Sequence, residues 1–69
     1  MKIFTAIVEQ DSDTNIYVGY VPGFPGAHSQ GETLDELREN LREVIEMLLE
    51  DERVVFKTDF VGTQQIVVQ

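Results

Sequence analysis

Apolar residues follow two spacings along this chain. Ile3 to Val8 and Ile16 to Val21 are short β-rich runs, apolar on both parities, whereas from Leu34 onward apolar residues recur every three or four positions. The two runs are joined by the polar stretch Glu9-Gln10-Asp11-Ser12-Asp13-Thr14-Asn15, which is the pattern of a β-hairpin. Pro22 closes the second strand because it brings no amide hydrogen to a ladder. Ala27-His28-Ser29-Gln30 is polar enough to read as loop by itself. Its place between the Pro25-Gly26 turn and a helix start predicts a third antiparallel strand.

Thr33-Leu34-Asp35-Glu36 has the form of a capping box, in which Thr33 accepts from the amide of Glu36 and Glu36 reaches back to the amide of Thr33. The acidic first turn suits the helix dipole. Leu34, Leu37, Leu41, Val44, Ile45, Leu48 and Leu49 then recur so that, at about 100° per residue, they share an arc of roughly 140°. A helix from Leu34 to about Asp51 follows. Arg53 to Thr58 fits a strand or an irregular return, Gly62 marks a turn within residues 59–63, and Ile66-Val67-Val68 reads as a terminal strand.

The expected order is β-β-β-α-β, an α+β class in one domain over residues 1–69 with one helix packed on one face of the sheet. The helix acts as a crossover, so the last strand returns parallel to the first. One helix covers one face, yet the first strand is apolar on both: Ile3, Thr5 and Ile7 alternate with Phe4, Ala6 and Val8. The second strand is similarly two-faced. This predicts a homo-oligomer, a dimer or tetramer, and most simply a twofold dimer.

Size strengthens that expectation. A chain of 69 residues buries only about 60% of its unfolded surface and is marginal alone. It has no cysteine, so neither a disulfide nor a thiolate zinc site is available, and one histidine makes a poor metal site. No cofactor or metal is expected. Thirteen acidic and five basic residues give a formal charge of −8. This argues against direct nucleic-acid binding and against an anionic membrane surface, and it favours a basic partner. Solubility accounts for the same acidity equally well. The apolar start reaches Glu9 too early for a signal peptide, and no window approaches the length of a membrane span. The expected location is cytoplasmic.

Individual motifs carry little chemistry. Asp11-Ser12-Asp13-Thr14-Asn15 resembles the start of a calcium loop, but Ile16 stands where glycine is needed and Pro22 where glutamate is needed. A solvated hairpin turn is the better reading. His28 has no cysteine to activate, and Ser29 beside it points to the opposite face of a strand, so a general-base role lacks support. Gly31-Glu32-Thr33 replaces the Gly-Lys-Ser/Thr of a phosphate loop and would repel phosphate. A magnesium nuclease needs acids converging in a cleft, whereas the acids here lie along one helix face. On that face Glu36, Glu39, Glu43, Glu46 and Glu50 cluster opposite the apolar arc. Like charges at i,i+4 are mildly destabilising, and Arg42 offsets them by its spacing to Glu39 and Glu46. Set against an ordinary solvated face, the functional reading is a docking surface for a basic partner through Glu39, Glu43, Glu46 and Glu50.

Taken together, I-x-V-G-Y-V-P-G-F-P-G-A-H-S-Q-G-E-T-L-D-E-L-R-E-N-L resembles the signature of the HicB-like antitoxin family, typically P-D-L-P-G-C-x-x-x-G-x-T-x-x-E-A-x-x-N. Pro22, Pro25, Gly26, Gly31, Thr33, Glu36 and Asn40 match, and Phe24 stands where leucine is common. Gly23 replaces the usual aspartate, Ala27 the cysteine and Leu37 the alanine. The likeness spans about residues 3 to 50. It implies a truncated ribonuclease-H-like β-β-β-α-β unit without nuclease activity. It also implies a role in a type II toxin-antitoxin system, masking a small basic toxin that cleaves messenger RNA. Many members add a DNA-binding module; with the sequence ending at Gln69, none is expected here. The alternative is an orphan oligomeric domain that binds a small molecule or serves only for association.

Overall fold

The turn at Asp11–Asn15 sets the register of the first hairpin. The Asp11 amide donates to the Ile16 carbonyl (2.9 Å), and the Asn15 amide to the Asp11 carbonyl (2.8 Å). Asn15 takes a left-handed φ of 62°, which asparagine tolerates better than most residues. The Asp11 carboxylate accepts from the Asp13 amide (3.1 Å) and the Thr14 hydroxyl (3.0 Å). These bonds place Gln10 opposite Tyr17. In this computed structural model, which describes residues 2–69, β1 is Ile7–Gln10 and β2 is Tyr17–Tyr20.

The expected first strand, Ile3 to Val8, is therefore displaced toward the turn. The reason lies in β2. The Val21 amide donates away from β1, to the Ala27 carbonyl at 2.9 Å. The next donor facing β1 would come from Pro22, which has none. Ile3 to Ala6 thus have strand composition but no ladder on this side.

Two Pro-Gly pairs then turn the chain. The Phe24 amide donates to the Val21 carbonyl (3.2 Å) and the Ala27 amide to the Phe24 carbonyl (3.1 Å). Gly23 and Gly26 have φ of 78° and 85°. Proline followed by a positive-φ glycine is the type II turn, here used twice in succession. The second turn delivers β3 (His28–Gly31) antiparallel to β2, with His28 opposite Tyr20. The sheet order is β1-β2-β3.

Helix α1 runs Leu34–Leu49 and begins as expected, with the Thr33 hydroxyl accepting from the Glu36 amide at 3.0 Å. It ends two residues short of the expected Asp51. Leu37, 2% exposed, and Leu41 are its buried anchors. It packs on β3 and β2 and makes no contact with β1. Gly31 permits the closest approach: a Cβ there would lie 2.6 Å from the Leu37 amide nitrogen. Val21, Phe24 and Ala27 form the core at the other end, with Phe4, Ile45, Leu48, Leu49 and Val54 against them.

Arg53 to Thr58 is an irregular return, the second of its two expected forms. Phe56 stacks edge-on to Phe24 at 4.8 Å between ring centroids, and the Lys57 amide donates to the Gly23 carbonyl at 3.0 Å. The α+β class, with one helix on one face of an antiparallel sheet, is as expected. The terminal strand is not: Ile66 to Val68 form no ladder. The outer edge of β1, the expected place of their return, stays open.

Candidate functional site

The acidic stripe of α1 occupies its solvent side. Glu39, Glu43, Glu46 and Glu50 are all exposed, and their spacing of four, three and four residues stacks them in one row. Arg42 interrupts the row. Its Nε donates to Glu39 at 3.3 Å, its Nη2 also bonds Glu39, and its Nη1 bonds Glu46. Hydrogen bonding from Arg42 holds the Glu39 carboxyl below its usual value. The bonds to Glu39 and then Glu46 raise Arg42 above its own. The spacing argument for Arg42 is thus realised as a three-residue bridge.

The four acids do not act alike. Glu39 and Glu46 spend their charge on Arg42. Among the described residues, Glu43 and Glu50 form no ion pair. Glu43 borders a shallow hollow with Ser29, Asn40, Val44 and Met47, where the helix meets β3. A basic ligand would therefore find free carboxylates at Glu43 and Glu50, and Arg42 between the other two.

His28 lies on the opposite side of the molecule, exposed on the outer face of the sheet beside Tyr20. Register and packing fix the two faces. Gly19 faces Leu37 and Leu41 of the helix, so Tyr20, Val18 and Ile7 turn outward. Tyr20 is 46% exposed. Among the described residues no second element covers this face, as the two-faced strand pattern anticipates.

Asn40 has a role that its place in the sequence motif did not reveal. Its side-chain amide donates to the Gln30 carbonyl at 2.8 Å, tying the helix to the outer edge of β3. A polar residue beside the apolar arc was the available signal, but its partner lies ten residues away across the cap and is invisible to local spacing. Sequence reasoning also missed an apolar groove between α1 and β1, because it depends on where the helix crosses the sheet.

These features define a small β-β-β-α domain whose turns are structural and whose exposed chemistry suits binding. The chain belongs to the UPF0150 family, whose model, described as UPF0150-like, matches residues 3–51. It is 46% identical to a UPF0150 protein of Synechocystis over 65 residues, covering 94% of this chain and 93% of that one. A UPF0150 protein of Thermotoga maritima is 54% identical over 50 residues, 72% of this chain and 67% of the relative. One from Archaeoglobus fulgidus is 41% identical over 66 residues, 96% and 94% of the two chains. These names state a family and no activity. No solved structure matches the chain significantly. Among the described residues, no helix is long and apolar enough to cross a membrane.

Proposed function

We propose that this protein is an antitoxin-like binding domain of the HicB type, acting in the cytoplasm without chemistry of its own. It neutralises a small basic, messenger-RNA-cleaving toxin by covering the toxin's active surface. The observation that carries this reading is the exposed glutamate row of α1, in which Glu43 and Glu50 hold unpaired charge. The Pro22 to Asn40 pattern supports it, since its matched positions build the paired turns, the helix cap and the Asn40 tie that hold this row in place. Complementary charge speeds encounter and selects partners more than it adds affinity.

Co-expression with the neighbouring open reading frame tests the proposal. The expected result is a small basic protein that arrests growth alone, is silenced by this chain, and co-purifies with it. A neighbour that is not basic, or one that fails to co-purify, removes the toxin from the account. Glu43→Lys with Glu50→Lys should slow association at low salt and leave the fold intact. A second reading, an association module without a toxin, is favoured by the uncovered outer face of the sheet. Under it, reversing Glu39, Glu43 and Glu46 to lysine leaves partner binding unchanged.

A further inference from the structure

The helix leaves a gap on its own side of the sheet. Val8 shares the Val8–Gly19–Ser29 row that faces α1, yet it is 45% exposed because the helix stops at β2. The result is an open groove of about 760 Å³, floored by Phe4, Ala6, Val8, Leu34, Leu41 and Ile45. Its polar lining is Lys2, Arg38, Arg42 and Glu46, the last paired with Arg42. The outer edge of β1 runs beside it with no strand attached.

Two segments have strand composition and no ladder. One is Ile3 to Ala6, which continues β1 and is left unpaired by Pro22. The other is Ile66 to Val68, with exposures of 75%, 87% and 85%. Residues 60–69 carry no charged side chain, so they can approach another acidic copy without repulsion. Shape points the same way. The radius of gyration is 13.6 Å, against about 11 Å for a compact chain of this length. The accessible surface is 5982 Å², against about 4,400 Å² expected for a folded monomer of this mass. The excess is roughly twice what one partner contributes to a standard interface.

We infer that Ile66 to Val68 of a second copy add as a strand beside Ile3–Val8 and cover this groove. The exchange is reciprocal, so a twofold pair satisfies both unladdered segments of both chains. Backbone hydrogen bonds along the open edge supply affinity, and the apolar floor selects the β-branched side chains. This surface adjoins the glutamate row through Arg42 and Glu46, is separate from the outer face of the sheet, and does not depend on a toxin.

The chain lacks cysteine, so introduced thiols report cleanly. Thr5→Cys chains are mixed with chains carrying Ile66→Cys, Val67→Cys or Val68→Cys, then oxidised. At least one mixture should give a disulfide-linked heterodimer, because a bridge forms only where the Cα atoms lie within about 7 Å. If double-cysteine chains close on themselves with a yield independent of dilution, while mixtures give nothing, the tail folds onto its own chain and the inference fails. If no arm gives a bridge, it fails as well. A second measurement does not rely on thiols. Ile66→Pro together with Val67→Pro removes one ladder amide whichever of the two faces β1, and keeps the apolar character, so the mass from light scattering should fall twofold while the helical circular dichroism signal stays unchanged. An unchanged mass overturns the inference.

Discussion

The two edges of this sheet are treated in opposite ways. At β3 the helix lies close, Gly31 makes room for the Leu37 backbone, and Asn40 bonds the Gln30 carbonyl. That edge has a polar sequence, His28-Ser29-Gln30-Gly31, and the helix guards it. On the β1 side the run Ile3 to Val8 is apolar, only Glu9 and Gln10 of the strand are polar, the helix is out of reach, and among the described residues no side chain caps the backbone. An exposed apolar edge is a liability that proteins normally blunt or cover. The contrast teaches that β3, weak in strand propensity, is held by tertiary contacts, whereas β1, strong in propensity, is only half used within one chain.

The largest effect should separate the two sides outright. Leu37→Ala removes the most buried helix anchor, a change that costs about 2–5 kcal/mol, enough to unfold a marginal domain of this size. Val8→Ala, on the same face but beyond the helix, should cost no more than about 1 kcal/mol in the monomer, since nearly half of its area stays in water. Urea titration by circular dichroism at low concentration measures both. Equal losses would show that the β1 side is already covered in solution.

Gly31→Ala sharpens the comparison at the β3 edge. The added methyl meets backbone rather than a pliable side chain, so the helix must move, at a cost of about 1–3 kcal/mol for overpacking. Asn40→Ala follows, with a loss of about 1 kcal/mol for one hydrogen bond. Its further sign is faster amide exchange confined to β3 and the first turns of α1. If exchange quickens equally at β1, the two edges are coupled more tightly than the packing suggests.

The same contrast explains what the sequence could convey. The helix was legible because its signals are local: Thr33 caps Glu36, and the apolar period runs unbroken from Leu34 to Leu49. The Asp11–Asn15 turn and the two Pro-Gly turns were legible for the same reason. β1 begins four residues later and ends two later than expected, because composition marks Ile3–Val8 as strand while the ladder is decided by Pro22 on the neighbouring strand. The tail strand was legible as propensity but not as structure: the β1 edge expected to receive it is open, yet Ile66 to Val68 are not laddered to it. For the acidic row, sequence placed all four glutamates on one face and paired Arg42 correctly. That Glu43 and Glu50 alone remain free is a matter of side-chain reach. The Phe4–Phe24–Phe56 cluster joins residues far apart in the chain, and no local pattern announces it.

The smallest expected effect is at Arg42, which stands on the rim of the open groove and is fastened to the glutamate row. Glu39 and Arg42 are both exposed, so their bridge contributes little and is weakened by salt. The sign follows from the direction of its shift. Its folded pKa lies below the usual value of 4.5, so the contribution is complete above that value and is lost as pH falls through the folded pKa. The difference in melting temperature between the wild type and Arg42→Gln should therefore be small but present at about pH 7, and should shrink as pH falls below the usual carboxylate range and through the folded pKa of Glu39. It should also shrink in about 1 M salt, where screening acts within a few ångströms. A difference that survives both acid and salt would mean that the methylene stem of Arg42 shields the apolar floor of the groove. In that case the rim arginine already covers part of the β1 side, and the two edges differ less than their strands suggest.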